Sequence, residues 1–441
     1  MSKSFPVDAE YPDITAKTLA FGSCHKNKSA KRNPPPIWDA ISELKPDAFL
    51  WAGDLVYSPL KSGIASLETL KSEYDQLLLD EKIGYGNFLS KAESETDGYL
   101  KGGVHATWDD HDYGANDFGY EMPNREERKD LLLDFLGVDS EERRKRNGVY
   151  SAVSYGKAPQ KTKVIFLDTR SGRSKHCIPS VGAVPLPFGL GSALACITRY
   201  FSSGLNLQKY VPRCRNGKVL DEEQWEWFEQ HLLGSDAQVN IVVSSIQVLT
   251  TNPMMESWGQ FPEERERFLK LLNKLEEGKS VVLLSGDVHH GEIMDSSLGV
   301  RRSVGRIIEV TSSGLTHRYV SLLSYPFGCI VFVHRSDAFV LVFKAARTHF
   351  TEDYVNHFLI LSQATDFAMV SNQTTTRVKT LVPSISIGVT LLRKVNQRWK
   401  STYTILWGTQ YFPLVCFHFG LLKATWQMRK FQRFLGRSMV I

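Results

Sequence analysis

Short runs rich in Val, Ile, Leu and Phe recur along the chain: Lys17 to Phe21, Ala48 to Ala52, His105 to Trp108, Val149 to Tyr155, Lys163 to Leu167, Val239 to Val243, Ser280 to Leu284 and Arg306 to Val310. Helical patterns separate them, which predicts strands covered on both faces by helices. Several runs end in a small polar cluster, successively GSC, GD, DDHD, DTR, SSIQ, GDVHH and TSSG. In layered α/β proteins the backbone leaves the sheet at strand ends, where loops can send side chains into a shared crevice. The fold class expected is therefore α/β, with the chemistry gathered at strand ends.

Between the runs, Asp221 is placed to cap a helix in which Trp225, Phe228 and Leu232 share a face. Pro262 suits the first turn of a second helix, bearing Phe268, Leu271 and Leu272. From Ser174 to Gly217 periodicity is poor and Gly, Pro and Ser dominate, so 174–217 is expected to be a loop-rich insertion beside the site. After about Phe350 the strand and turn signals fade, and a boundary near residue 360 is expected, with a divergent tail over 361–441. Within that tail, Thr404 to Leu422 has no Asp, Glu, Lys or Arg and is flanked by Lys400 and Lys423. Its length could span a bilayer, but Gln410, Pro413 and His418 interrupt it. A C-terminal membrane anchor and a buried or interfacial segment both stay open for 404–422.

With 42% hydrophobic and 23% charged residues, the 441-residue chain reads as a folded, enzyme-sized protein rather than a disordered one. The net charge of +5 is small and the basic residues are interspersed with acids, so no nucleic-acid partner is expected. Cys24, Cys177, Cys196, Cys214, Cys329 and Cys416 form no CxxC pairs, which argues against a zinc ribbon or a dense disulfide framework. No apolar run precedes the first strand, so a cleavable signal peptide is not expected and the location is read as cytoplasmic, with the C-terminal segment as the open route to a membrane. Oligomeric state is not legible.

The chemistry-bearing clusters are Asp54 in AGDLVY, the run Asp109, Asp110, His111, Asp112 and Asn116 in WDDHDYGAND, and Asp287 with His289 in SGDVHHGE. A single GD after a strand is usually a turn. Three acids and a histidine within four residues are different, because they repel one another unless a cation or several hydrogen bonds offset the charge. In an extended segment Asp287 and His289 would alternate onto one side and could grip one ion, with His290 facing away. Cys24 in FGSCH taken alone is more readily a buried thiol than a ligand.

The ordered series FGSC, GDLVY, WDDHDYGAND, LDTR, SSIQV, MESWGQFPEERERF, SGDVHHGE and EVTSSGLTH resembles that of the PhoD-like (alkaline phosphatase D-like) metallophosphatases, a branch of the calcineurin-like phosphoesterase superfamily, and most resembles its eukaryotic members. The resemblance implies a four-layered α/β/β/α sandwich over residues 1–360, phosphomonoesterase or phosphodiesterase activity, and a site with ferric iron and calcium, other divalent metals remaining open. It implies Cys24, Asp54 and Tyr57 around the iron, with Asp54 bridging. Asp109, Asp112, Asn116, Asp287 and His289 are then implied at calcium, although His289 could equally contact iron or substrate. Arg170, and less directly Arg173, would hold phosphate oxygens, although an arginine after a buried strand is as often a salt-bridge residue as a ligand clamp; His111 or Asp110 would protonate the leaving oxygen or orient a ligand. The mechanism expected is in-line attack on phosphorus by a metal-bound hydroxide.

Two rivals belong to other classes. A membrane-anchored protein that binds phosphorylated ligands without turnover would not need the full set of Asp54, Asn116, Asp287 and His289. A nuclease would need a basic stripe with interleaved aromatics, which the sequence lacks.

Overall fold

In a computed structural model the described residues are 8–32, 36–58, 63–94, 98–176, 198, 199, 201, 216–250, 252, 255–276, 278–296 and 307–316, together with strand backbones at 357–365, 385–395 and 398–408. Two mixed sheets face each other. The first has seven strands in the order β1 (Ala9–Tyr11), β5 (Ser151–Tyr155), β6 (Thr162–Phe166), β7 (Val239–Val243), β8 (Ser280–Ser285), β10 (Ile308–Ser312) and β9 (Gly291–Asp295). The second has six, in the order β13 (Arg398–Gly408), β12 (Ile385–Val395), β11 (His357–Thr365), β2 (Thr18–Gly22), β3 (Ala48–Ala52) and β4 (Val104–Thr107).

The period-two alternation of a strand explains the layering. Along β3, Leu50 and Ala52 enter the core between the sheets, while Phe49 and Trp51 point to the opposite side. Along β7, β8 and β6, Ile241, Val243, Val282, Leu284, Val164 and Phe166 face that same inter-sheet core, whereas Val242, Leu283 and Ile165 face outward. Because both faces of each strand are buried, the runs read as continuous apolar stretches.

Helices cover the two outer faces. Over the six-stranded sheet lie α2 (Ile37–Glu43), α3 (Leu67–Leu79), α4 (Tyr85–Ser94) and α6 (Arg125–Phe135), contributing Trp38, Leu70, Phe88 and Leu132 to one core; α1 (Asn27–Ala30), α5 (Asp110–Tyr113) and α7 (Glu141–Lys145) are shorter. Over the seven-stranded sheet lie α8 (Glu222–Leu233) and α9 (Pro262–Leu272). Asp221 caps α8, accepting from the backbone N–H of Gln224 at 2.8 Å, and Pro262 occupies the first turn of α9, as expected. The result is an α/β/β/α sandwich.

The C-terminal region departs from its expected character. β11, β12 and β13 form an antiparallel extension that joins the second sheet through β11 and β2, so strands continue past residue 360. Thr404 to Gly408, the start of the segment considered as a membrane span, belongs to β13; residues 409–422 lie outside the described residues. Among the described residues no helix is long and apolar enough to cross a membrane. Most of 174–217 and every cysteine except Cys24 also lie outside them.

The parallel strands point their C-terminal ends to one edge of the sandwich. The sheets touch there through a bridge between Ser23 and Ser313, and Thr107 Oγ1 donates across to the carbonyl of Leu167 at 2.7 Å. The predicted polar clusters meet at this edge.

Candidate metal centre

Three of the clusters leave their strands through turns that ordinary side chains resist. Cys24, Asp54, Asp287 and His289 have φ of 61°, 53°, 67° and 55°, half of the eight non-glycine residues at positive φ among those described. Non-glycine residues are uncommon in this region and concentrate at functional sites, because surrounding structure must hold them there. The glycines before the two aspartates permit close approach. A Cβ on Gly53, itself at φ 92°, would come within 2.6 Å of Asp109 Cβ, and one on Gly286 within 2.6 Å of the Ala52 carbonyl oxygen.

The turns bring donors from five strand ends together. Asp54 is the hub: its Oδ2 accepts from Tyr57 Oη at 2.6 Å and from Cys24 Sγ at 3.5 Å, and its Oδ1 accepts from the His111 backbone N–H at 3.1 Å. Tyr57 Oη also lies 2.8 Å from His289 Nε2. Ser313 Oγ holds the wall, 3.0 Å from Cys24 Sγ and accepting from the His289 backbone N–H at 2.6 Å. Three sets of side chains each present ligand atoms within 4.8 Å of one another: Cys24, Asp54 and His289; Asp54, Asp110 and His111; and Asp54, Asp109, Asp110 and Asp287. Asp54 is common to all three.

The electrostatics are those of a site built for cations. Burial, then Asp110 and Asp112, pushes the Asp54 carboxyl well above the usual carboxylate range. Burial, then Asp109 and Asp110, does the same to Asp287, and burial raises Asp109 in spite of Arg170. The Cys24 thiol and Tyr57 phenol are also raised, first by burial. His289 is pushed down to about 3, first by burial, so it is a neutral donor near pH 7. Asp109 Oδ2 and Asp110 Oδ1 are buried with no hydrogen-bond partner. Buried polar atoms are ordinarily satisfied, and clustered carboxylates require a cation or protons. The donors present therefore fit bound metal ions.

The site differs from the sequence expectation at several residues. Asp112 does not converge with the candidate ligand sets: its Oδ1 accepts from the Asp109 backbone N–H at 2.6 Å and its Oδ2 from that of Leu55 at 3.1 Å. It holds the turn that aims Asp109 and Asp54. Asn116 is half-buried in the loop after α5. Asp287 and His289 do not alternate along an extended segment; with positive φ at both, the chain bends and sends them to different ligand sets.

Arg170 and Arg173, expected to grip phosphate, are fully buried and turned onto carboxylates. Arg170 Nε donates to Asp109 Oδ1 at 2.6 Å and its Nη1 to Glu256 Oε2 at 3.0 Å. Arg173 Nη1 pairs with Glu256 Oε1 at 3.1 Å, and His176 Nε2 lies 2.8 Å from that same oxygen. Glu256, His176, Asp117 and Ser313 were not singled out from sequence. MESWGQF and TSSG were visible as motifs, but a lone acid or serine in them has no local signature of its partners.

A two-sheet sandwich that gathers carboxylate, imidazole and thiol donors at its strand ends defines a metallohydrolase scaffold. A family model described as PhoD-like phosphatase matches residues 19–325, and the chain belongs to that family of phosphoester hydrolases. Among solved structures, that of PhoD aligns with a TM-score of 0.50 and 15% identity over 95% of this chain and 74% of PhoD, a likeness of fold. GAP50, the anchor in the inner membrane complex of Plasmodium, aligns at a TM-score of 0.36 and 12% identity over 94% of each chain. No curated protein matches the chain by sequence.

Proposed function

We propose that the chain hydrolyses phosphate esters with water at the crevice around Asp54, using iron and calcium. The observation that carries this reading is the sharing of Asp54 by two convergent sets, one with Cys24 and His289 and one with Asp109, Asp110 and Asp287, since a carboxylate common to both would hold neighbouring ions together. Cys24, Asp54, Tyr57 and His289 would hold the iron, as thiolate and phenolate donors favour the ferric state. Asp109, Asp110 and Asp287, with Asp54, would hold calcium through hard oxygen donors, and Asn116 is a further candidate. Bound there, the ions would neutralise phosphoryl oxygens and acidify a water molecule.

The side chains divide the remaining work. Ser313 and Asp112 fix the turns, and Arg170 orients Asp109 from behind. Of the two candidates for giving a proton to the leaving oxygen, His111 is the more accessible, its side chain 22% exposed against 3% for Asp110; burial lowers its pKa, so it would carry that proton only with the substrate's negative charge beside it. Its ring stacks on Tyr57 with centroids 4.0 Å apart, which fixes its tilt. His111→Gln is expected to lower kcat about a hundredfold, in the range for loss of a general acid, with little change in metal content.

The test is hydrolysis of p-nitrophenyl phosphate and bis(p-nitrophenyl) phosphate by the full chain loaded with iron and calcium. Turnover that disappears on chelation and returns on metal addition is expected; metal-loaded protein that cleaves neither ester removes the proposal.

A further inference from the structure

Arg170 and Arg173 are enclosed by Asp109 and Glu256, so a side-chain cation that assists the proposed ions in holding an anionic substrate has to come from elsewhere on the crevice. Lys26 is two residues beyond Cys24 and half-buried, with its Nζ 5.7 Å from the centroid of the Tyr57 ring. That ring lies between the Asp54–His289 contacts of its hydroxyl and the stacked His111. The charge of Lys26 reaches both imidazoles, contributing to the lowered pKa of His111 and of His289.

Two features separate Lys26 from an ordinary surface lysine. Its backbone is bracketed by one hydroxyl: its N–H donates to Thr316 Oγ1 at 2.7 Å, and Thr316 Oγ1 donates back to its carbonyl at 3.3 Å. Its ammonium, moreover, forms no ion pair among the described residues. The acid on α3 whose pKa it influences, Glu73, is instead hydrogen-bonded to Asn27 Nδ2 at 2.8 Å. An ammonium resting on an aromatic face keeps three N–H donors, and its charge remains available to an anion.

We infer that Lys26 is the substrate-binding cation of the crevice, contacting a non-bridging phosphoryl oxygen and favouring phosphomonoester dianions over diesters. The inference rests on the phosphoester reading and names its substrate class. A monoester dianion offers one more anionic oxygen than a diester, so contact with an ammonium gains more with the monoester. A charge-assisted hydrogen bond of this kind is worth about tenfold or more in affinity.

The test compares wild type, Lys26→Met, Lys26→Gln and Lys26→Arg in the full metal-loaded chain, each checked for a wild-type melting transition and metal content. Binding of inorganic phosphate is read by calorimetry, and KM and kcat on both p-nitrophenyl esters by absorbance. Expected are about tenfold weaker phosphate binding in the two neutral variants, a matching rise in KM for the monoester, a smaller one for the diester, and recovery in Lys26→Arg. Phosphate affinity unchanged in the neutral variants, or mono- and diester equally impaired, would overturn the inference. A wild type that cleaves neither ester removes the phosphoesterase reading but leaves the calorimetric arm decisive: lysine-dependent phosphate binding keeps the binding role, and no phosphate binding overturns it.

Discussion

Two acidic clusters share the buried edge of the sandwich and differ in what balances their charge. Asp54, Asp109, Asp110 and Asp287 present ligand atoms within 4.8 Å of one another, and so do Asp117, His176 and Glu256. In the second cluster the compensation is covalent to the chain: Glu256 is clasped by Arg170 and Arg173, and Asp117 pairs with Arg199. In the first, Arg170 reaches only Asp109, while buried oxygens of Asp109 and Asp110 lack partners. Donor counting alone would make both metal sites. Charge balance leaves the first as the candidate cation site and makes the second an ion-paired support beside it.

The contrast can be broken most sharply at Asp54. Asp54→Asn should cost at least about a thousandfold in kcat/KM, some 4 kcal/mol of transition-state stabilisation, while leaving the thermal transition near its wild-type value. Wild-type-like hydrolysis by that variant would remove Asp54 as the shared ligand. Glu256→Gln should act on the fold instead. Leaving Arg170 and Arg173 against a neutral amide in a buried site should destabilise the chain by about 3 kcal/mol, read as a lowered denaturant midpoint.

Acid and base should separate the clusters as well. In metal-free protein the carboxyls of Asp54, Asp109 and Asp287 have folded-state pKa values raised above their unfolded ones. The folded state then binds the extra protons, so their contribution is present below about pH 4 and is lost as pH rises through the raised values. Glu256 has the opposite sign: despite burial, Arg170 and then Arg173 hold it well below the usual carboxylate range. Its contribution is present above its unfolded value and is lost as pH falls through the folded one. Chelated protein should therefore lose stability with rising pH, by no more than about 1.4 kcal/mol per pH unit for each proton, and metal addition should flatten that slope. A slope unchanged by metal in melts between pH 4 and pH 8 would contradict the assignment. The smallest effect belongs to Asp112→Asn, which weakens one turn and should cost about 1 kcal/mol in unfolding free energy with metal still bound.

How much of this was legible follows from chemistry. Ala48 to Ala52 and Val239 to Val243 were readable to the residue, because strands buried on both faces are continuous apolar runs. The three-residue β1 and the partly exposed edge strand β9 carry no such run. The end of β13 from Thr404 was hidden because an uncharged stretch reads alike as strand, core or membrane segment. At the site, the GD and DDHD turns pointed to strand ends whose side chains converge. They could not apportion roles, because a carboxylate accepts a backbone N–H and binds a cation with the same oxygens; hence Asp112, read as a ligand, stands outside the convergent sets and accepts from two backbone N–H groups. Arg170 read equally as a phosphate clamp or a salt-bridge residue, because its partner Glu256 lies 86 residues away and no local pattern announces it.

Elemental analysis of the purified full chain, run beside Asp54→Asn and His176→Gln, addresses the division of the two clusters most directly. Iron and calcium in wild type and His176→Gln, and their loss in Asp54→Asn, is the result a centre built on Asp54 requires. Metal retained by Asp54→Asn but lost from His176→Gln would contradict it, moving the ions to the cluster that the arginines already neutralise.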